Sequence, residues 1–293
     1  MVSLTLSIGC GDDASNADGA AGPGGSSSQG AASNEGGGAN AGGATGEAGA
    51  TNEGGAGGGG PAMGSAGCGT AQEAGFPCFT TNFEGVDREY CVDIREGYDP
   101  AAPQAIVLGL HGCGGSPNGA HGATATQVEA GAGRYLFVYP KAAASCWDYN
   151  GPSDVAFMQH VIAQVEAQFC VEPGRVFADG MSSGAMMTSR LLCDGVAIGG
   201  AAIALNYACS TPSPIWLYGG TADQYYTDYI LPGRDGWIAT NGCSATTTPL
   251  SEGPCVEYDG CSQRTIWCND TQGHVWPGDP YTAQIIDLFD SVP

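Results

Sequence analysis

Basic residues are scarce: Lys and Arg together number 8 in 293 residues, against 30 Asp and Glu, for a formal charge of −22. So few cations cannot neutralise a phosphate backbone or an anionic lipid surface, so nucleic acid and acidic head groups are excluded as partners. Long hydrophobic runs are also missing. Nothing reaches the roughly eighteen consecutive apolar residues that a spanning helix needs. The thirteen Cys include no pair three residues apart, and there are only four His. Close Cys-x-x-Cys pairs with His at set offsets are the usual mark of a zinc site, so no metal and no cofactor is expected. Disulfides are the remaining use for so many thiols, which places the chain in an oxidising compartment: secreted, periplasmic or at the cell surface.

Two different polymers share the chain. Residues 11–67 contain 21 Gly and 14 Ala, with no aromatic and no Val, Ile or Leu. Such a stretch cannot bury enough apolar surface to offset the entropy of ordering, and it reads as a disordered tether. Residues 68–293 form the second polymer, of a size that suits one domain. With the six acids of the tether removed, this part keeps 24 acids against 8 bases. Residues 1–10 are apolar, small and uncharged, and end Ser7-Ile8-Gly9-Cys10. They resemble the end of a bacterial lipoprotein signal, although Ser7 stands where Leu is usual and a basic n-region is missing. A lipid on Cys10 is the one membrane link this allows, and it would leave twelve Cys, enough for six bridges.

Within 68–293, Arg88 to Ile94 alternates as an antiparallel strand does. AIVLGL (Ala105–Leu110) and YLFVY (Tyr135–Tyr139) are continuous apolar runs, as strands covered on both faces are. A helix is expected over Asp154–Phe169, with Ser153 or Asp154 capping it. Strands at 175–178, 201–205, 214–218 and 265–268 then alternate with helices at 184–192, 235–240 and 282–289. Such alternation implies right-handed crossovers and a mostly parallel central sheet with helices on both faces. The order is that of an α/β-hydrolase fold.

Gly180-Met181-Ser182-Ser183-Gly184 lies between the strand RVFAD and a helix. In that setting Gly-x-Ser-x-Gly is a nucleophile elbow: the turn is so tight that small residues are needed two before and two after the Ser. Ser183 fits less well, because Met181 lies two before it. A serine hydroxyl needs a general base, and His is the usual one. His160 falls inside a predicted helix, His121 in a loop without a motif, and His111 at a strand end where backbone amides do the useful work. His274, in a loop after the last strand, is the expected base. The orienting acid should stand between Ser and His in the chain, past a strand end. Asp223 stands there, with Asp228 as the alternative. Amides of Cys113 or Gly112 and of Ser183 are expected to form the oxyanion hole.

With these segments assembled, the chain resembles the secreted esterases that include polyhydroxybutyrate depolymerases and feruloyl esterases. The matching stretches are His111-Gly112-Cys113, RVFADGMSSGAMM (Arg175–Met187), GGTAD (Gly219–Asp223), WIATNGC (Trp237–Cys243), YDGC (Tyr258–Cys261) and GHVWPG (Gly273–Gly278). On this resemblance Ser182, Asp223 and His274 fall on the family triad. The implied activity is hydrolysis of a carboxylic ester through an acyl-enzyme, by a monomer without metal or cofactor. Feruloyl esters on plant polysaccharide are the expected substrate, with polyhydroxyalkanoate or acetylxylan next. A non-catalytic polysaccharide-binding surface lipoprotein is the alternative of a different class. Two departures lie beside the acid: Gly219 replaces a common His, and Gln224-Tyr225-Tyr226 replaces a small or β-branched run. They bear on substrate choice more than on chemistry.

Lids in this fold commonly enter before the acid strand. Residues 206–213 offer only eight positions there, so little or no lid is expected. Trp147, Tyr225, Tyr226 and Trp276 are expected at the rim as substrate-binding aromatics. Cys113 and Cys146 follow adjacent strands and are expected to bridge. Cys243, Cys255, Cys261 and Cys268 are expected to pair among themselves.

Overall fold

The computed structural model describes residues 64–204, 210–251, 253–279 and 281–293. Cys10 and the lipid expected on it, residues 11–63 of the tether, Cys209 and residues 206–209 of the 206–213 connection lie outside the described residues. Residues 64–67, which composition assigns to the tether, are instead packed on the fold. Ser65 N donates to Val171 O at 2.9 Å, and Gly67 N donates to Glu166 O at 2.9 Å. The neighbouring Cys68–Cys170 bridge fixes this segment to the body.

Ten strands form one sheet. Its middle is β4 (Tyr135–Pro140), β3 (Gln104–Leu110), β5 (Val171–Met181), β6 (Gly199–Ile203), β7 (Ile215–Gly220) and β10 (Thr265–Asp270), side by side in that order and all parallel. Antiparallel strands close both ends: β2 (Val86–Asp93) and β1 (Cys78–Phe83) beyond β4, β9 (Cys255–Tyr258) and β8 (Thr247–Pro249) beyond β10. The sequence dictates this order. Every residue of β3, β4, β6 and β7 is buried, as only strands covered by helices on both faces can be. β1 alternates between exposed and half-buried residues, which suits an edge.

The helices are α1 (Pro117–Ala123), α2 (Ala125–Ala130), α3 (Ser153–Gln168), α4 (Ser183–Cys193), α5 (Leu231–Thr240) and α6 (Tyr281–Ser291). α1 and α2 were not expected from the sequence, because PNGAHGA contains two helix-weakening Gly. The start of α1 nevertheless carries a legible signal. Ser116 Oγ accepts from Gly119 N at 3.2 Å, and Pro117 follows it. His121 therefore belongs to a helix and not to a loop. Its Nε2 meets Asp93 Oδ2 at 2.5 Å, and its ring stacks on Phe76. The expected cap of α3 is also corrected: Pro152 occupies the cap without a side-chain bond. Asp154 turns inward, taking Arg88 Nη2 at 2.8 Å on one oxygen and Asp148 N at 2.8 Å on the other. A buried cation needs its partner more than a helix end does.

Ten of the described cysteines are joined in five bridges. Beyond Cys68–Cys170 these are Cys78–Cys91 across β1 and β2, Cys113–Cys146, Cys243–Cys261 and Cys255–Cys268.

Candidate active site

Three loops at the carboxyl ends of β5, β7 and β10 converge on one cavity, with the loop after β3 beside them. Ser182 sits between β5 and α4 at φ 57°, ψ −120°, a backbone region that non-glycine residues occupy only under tertiary constraint. The constraint is visible on both sides. A Cβ on Gly180 would fall 2.4 Å from the backbone of Gly184, and one on Gly184 would fall 2.1 Å from Leu110 O. Ser182 N donates to Ile203 O at 2.9 Å, and Met186 N donates to Ser182 O at 3.1 Å. Ser183, by contrast, is buried, and its hydroxyl has no partner among the described residues. Of the two serines, Ser182 borders the cavity and Ser183 does not.

The acid turn follows β7. Asp223 has both oxygens engaged: Oδ1 accepts from Tyr225 N at 2.8 Å, and Oδ2 lies 2.6 Å from His274 Nδ1. Its side chain is 1% exposed. Because the carboxylate can only accept, Nδ1 carries the proton and Nε2 is left as the basic nitrogen. Asp228, the alternative acid, is exposed on the next turn, and the imidazole pairs with Asp223 instead. The two loops are braced together: Ala222 N donates to Gln272 O at 3.0 Å, and Thr221 N donates to Asp270 O at 2.8 Å. Gly220 allows this approach, since a Cβ there would meet Gln272 O at 2.1 Å.

Asp270 anchors the His loop and has no motif in the sequence to mark it. It accepts from Tyr218 Oη at 2.7 Å, Tyr281 Oη at 2.6 Å, and Gln272 N and Nε2 at 2.8 Å each. Partial burial favours its protonated form, but these donors outweigh burial and hold the carboxyl below its ordinary range.

After β3, Gly112 and Cys113 line the cavity. The Cys113–Cys146 bridge and the bond from Gly114 N to Ser145 O at 2.7 Å hold the loop. The Cys113 and Ser183 amides donate to nothing among the described residues, which leaves both free for an incoming oxyanion. His111 is 4% exposed. Ala142 N donates to its Nε2 at 3.2 Å, so Nδ1 bears the proton given to Gly112 O at 2.8 Å. Burial, the largest influence, lowers its pKa and keeps this ring neutral.

The cavity holds about 450 Å³. Its further lining is Met181, Met186, Ala204, Gln224, Tyr225 and Tyr229. Of the four aromatics expected at the rim, only Tyr225 is there. Trp147 is 3% exposed, donates from Nε1 to His111 O at 2.8 Å and packs on that ring, so it supports the β3 loop from within. Tyr226 is half-buried and accepts from Asn269 Nδ2 at 3.1 Å. Trp276 is half-buried against the core beside the His loop. Tyr229 was missed; its one sequence signal is a third Tyr four residues after Tyr225.

No family model matches the chain. Over 231 residues it is 30% identical to feruloyl esterase C of Emericella nidulans, covering 72% of this chain and 83% of that protein. The chain belongs to the feruloyl esterase C family. It is a carboxylic ester hydrolase. A second relative, named "Probable feruloyl esterase C" in Aspergillus terreus, is 34% identical over 135 residues, 44% of this chain and 48% of that protein. That match spans about half the relative's length. Among solved structures, the acetyl xylan esterase of Aspergillus awamori superposes with a TM-score of 0.57 at 16% identity, covering 73% of this chain and 99% of that one. This likeness shows the α/β-hydrolase fold. The five bridges suit an oxidising, extracellular compartment.

Proposed function

We propose that this esterase hydrolyses feruloyl esters of plant polysaccharide through an acyl-enzyme on Ser182. The carrying observation is the 2.6 Å contact of His274 Nδ1 with Asp223 Oδ2 in a loop pair that borders the same cavity as Ser182. Nε2 of His274 takes the Ser182 proton as Oγ attacks the ester carbonyl carbon. The carbonyl π electrons move onto oxygen, and the amides of Cys113 and Ser183 stabilise the resulting oxyanion. Collapse expels the sugar alcohol, which takes the proton from His274. Water, deprotonated by the same nitrogen, then attacks the acyl carbon and frees Ser182 and the acid. Asp223 stays ionised throughout and stabilises the imidazolium.

The test is methyl ferulate hydrolysis by wild type, Ser182→Ala and His274→Ala. Each replacement should lower kcat by about 10⁴-fold or more. A Ser182→Ala enzyme at the wild-type rate would sink the acyl-enzyme. Faster cleavage of acetylated xylan or polyhydroxybutyrate film than of methyl ferulate would move the substrate to one of those classes.

A further inference from the structure

Large apolar side chains with more than two-fifths of their surface exposed are few: Val86, Tyr225, Tyr229 and Val275 among the described residues. Two of these four border the one cavity that holds Ser182. Isolated exposed aromatics need no explanation, but a pair facing a reacting group does. Tyr225 and Tyr229 meet edge to face with centroids 5.8 Å apart, and Tyr225 stands edge-on to His274 at 5.2 Å.

A single π-turn, Tyr226–Ile230, brings the two rings together, with Ile230 N bonded to Tyr225 O at 3.1 Å. Such turns recur where a side chain must be re-aimed at a site. This one is pinned from below by Ile230, which is 1% exposed, and by the Asn269 bond to Tyr226. It can sit so low only because residue 219 is Gly: a Cβ there would lie 2.5 Å from Ile230 Cγ2 and 2.9 Å from Trp267 Cη2. The two departures from the family pattern, Gly219 and the tyrosines after Asp223, are thus one device. Met181, Met186 and Ala204 complete the lining, and polarisable thioethers favour aromatic ring contacts. Beyond Ser182 and His274, the polar side-chain groups among the described lining residues are the Gln224 amide and the hydroxyls of Tyr225 and Tyr229, few for a sugar ring with several hydroxyls.

We propose that Tyr229, paired with Tyr225, is a specificity-determining contact that takes the aromatic ring of the hydroxycinnamoyl acyl group. The inference rests on the reading of Ser182 as nucleophile and deepens it by naming which half of the ester the tyrosines hold.

The experiment compares wild type, Tyr229→Ala and Tyr229→Phe. For each, kcat/KM is measured with methyl ferulate and with p-nitrophenyl acetate, and free ferulate and xylobiose are tested as inhibitors of acetate-ester hydrolysis. Tyr229→Ala should lower the ferulate-to-acetate ratio of kcat/KM by about threefold to tenfold and weaken inhibition by ferulate to the same degree. Phe should restore both, since the ring and not the hydroxyl makes the contact. An unchanged ratio and inhibition constant in Tyr229→Ala overturns the proposal. So does a loss of xylobiose inhibition in place of ferulate inhibition, which would put the sugar against the tyrosines. Ser182→Ala, run in parallel, separates the two levels. Retained hydrolysis there refutes the nucleophile, whereas a dead Ser182→Ala beside an indifferent Tyr229→Ala refutes only the aromatic contact.

Discussion

Asp179 lies three residues before Ser182 on β5 and is fully buried. Its Oδ2 accepts from Gln127 Nε2 at 3.0 Å, while Oδ1 and Gln127 Oε1 have no partner among the described residues. Burial outweighs the Gln127 bond and pushes the carboxyl from 3.8 to about 7. The native state therefore holds a proton that the unfolded chain releases near pH 4. Between those limits the native form binds more protons, so its stability falls as pH rises and levels off above about 7. The full difference is worth about 4 kcal/mol. Asp179→Asn keeps the shape and cannot ionise. The stability of Asp179→Asn relative to wild type should therefore grow by about 4 kcal/mol from pH 4 to pH 8, with most of the gain before pH 7. Urea unfolding followed by Trp fluorescence with the bridges intact measures this at each pH. Parallel profiles for the two proteins would show that Asp179 titrates normally and refute the reasoning.

Two further outcomes follow from the loops around Ser182. Replacing Cys113 and Cys146 together with Ser opens a loop with a separation of 33 residues; it should cost about 3–4 kcal/mol in denaturant unfolding and lower kcat by loosening the Cys113 amide, and an unchanged kcat would remove that role. Asp270→Asn should lower kcat about tenfold more than it changes KM, because it frees the loop that aims His274. The stability given by the ionised Asp270 is complete above the ordinary carboxylate range and lost as pH falls below it, so wild type and variant should converge in acid; a constant gap in thermal unfolding from pH 3 to pH 7 would count against this.

The elements that the sequence makes legible are those whose side chains all face apolar neighbours. β3 and β4 are unbroken hydrophobic runs, and no helix period competes with them. β1 has no such signature, because an edge strand whose residues alternate between exposed and half-buried contains no continuous apolar run. Around Ser182 the local rule is steric: the backbone clashes at Gly180 and Gly184 are written as glycines. Tyr229 and Asp270 escape sequence reading for the opposite reason. One depends on a turn with an unusual hydrogen-bond step, the other on two tyrosines that arrive from β7 and α6. Trp147 misleads because its position after Cys146 implies the surface, whereas its indole N–H is used up on a carbonyl inside.

Gly219 and Gly220 are neighbours on β7, and successive residues of a strand point to opposite sides. The missing side chain of the first admits the tyrosine-bearing turn; that of the second admits the histidine loop. On the proposed reading, selectivity and proton relay are served by adjacent positions that face away from each other. A side chain introduced at residue 219 would, on that reading, displace the tyrosine surface and leave the histidine loop behind residue 220 in register.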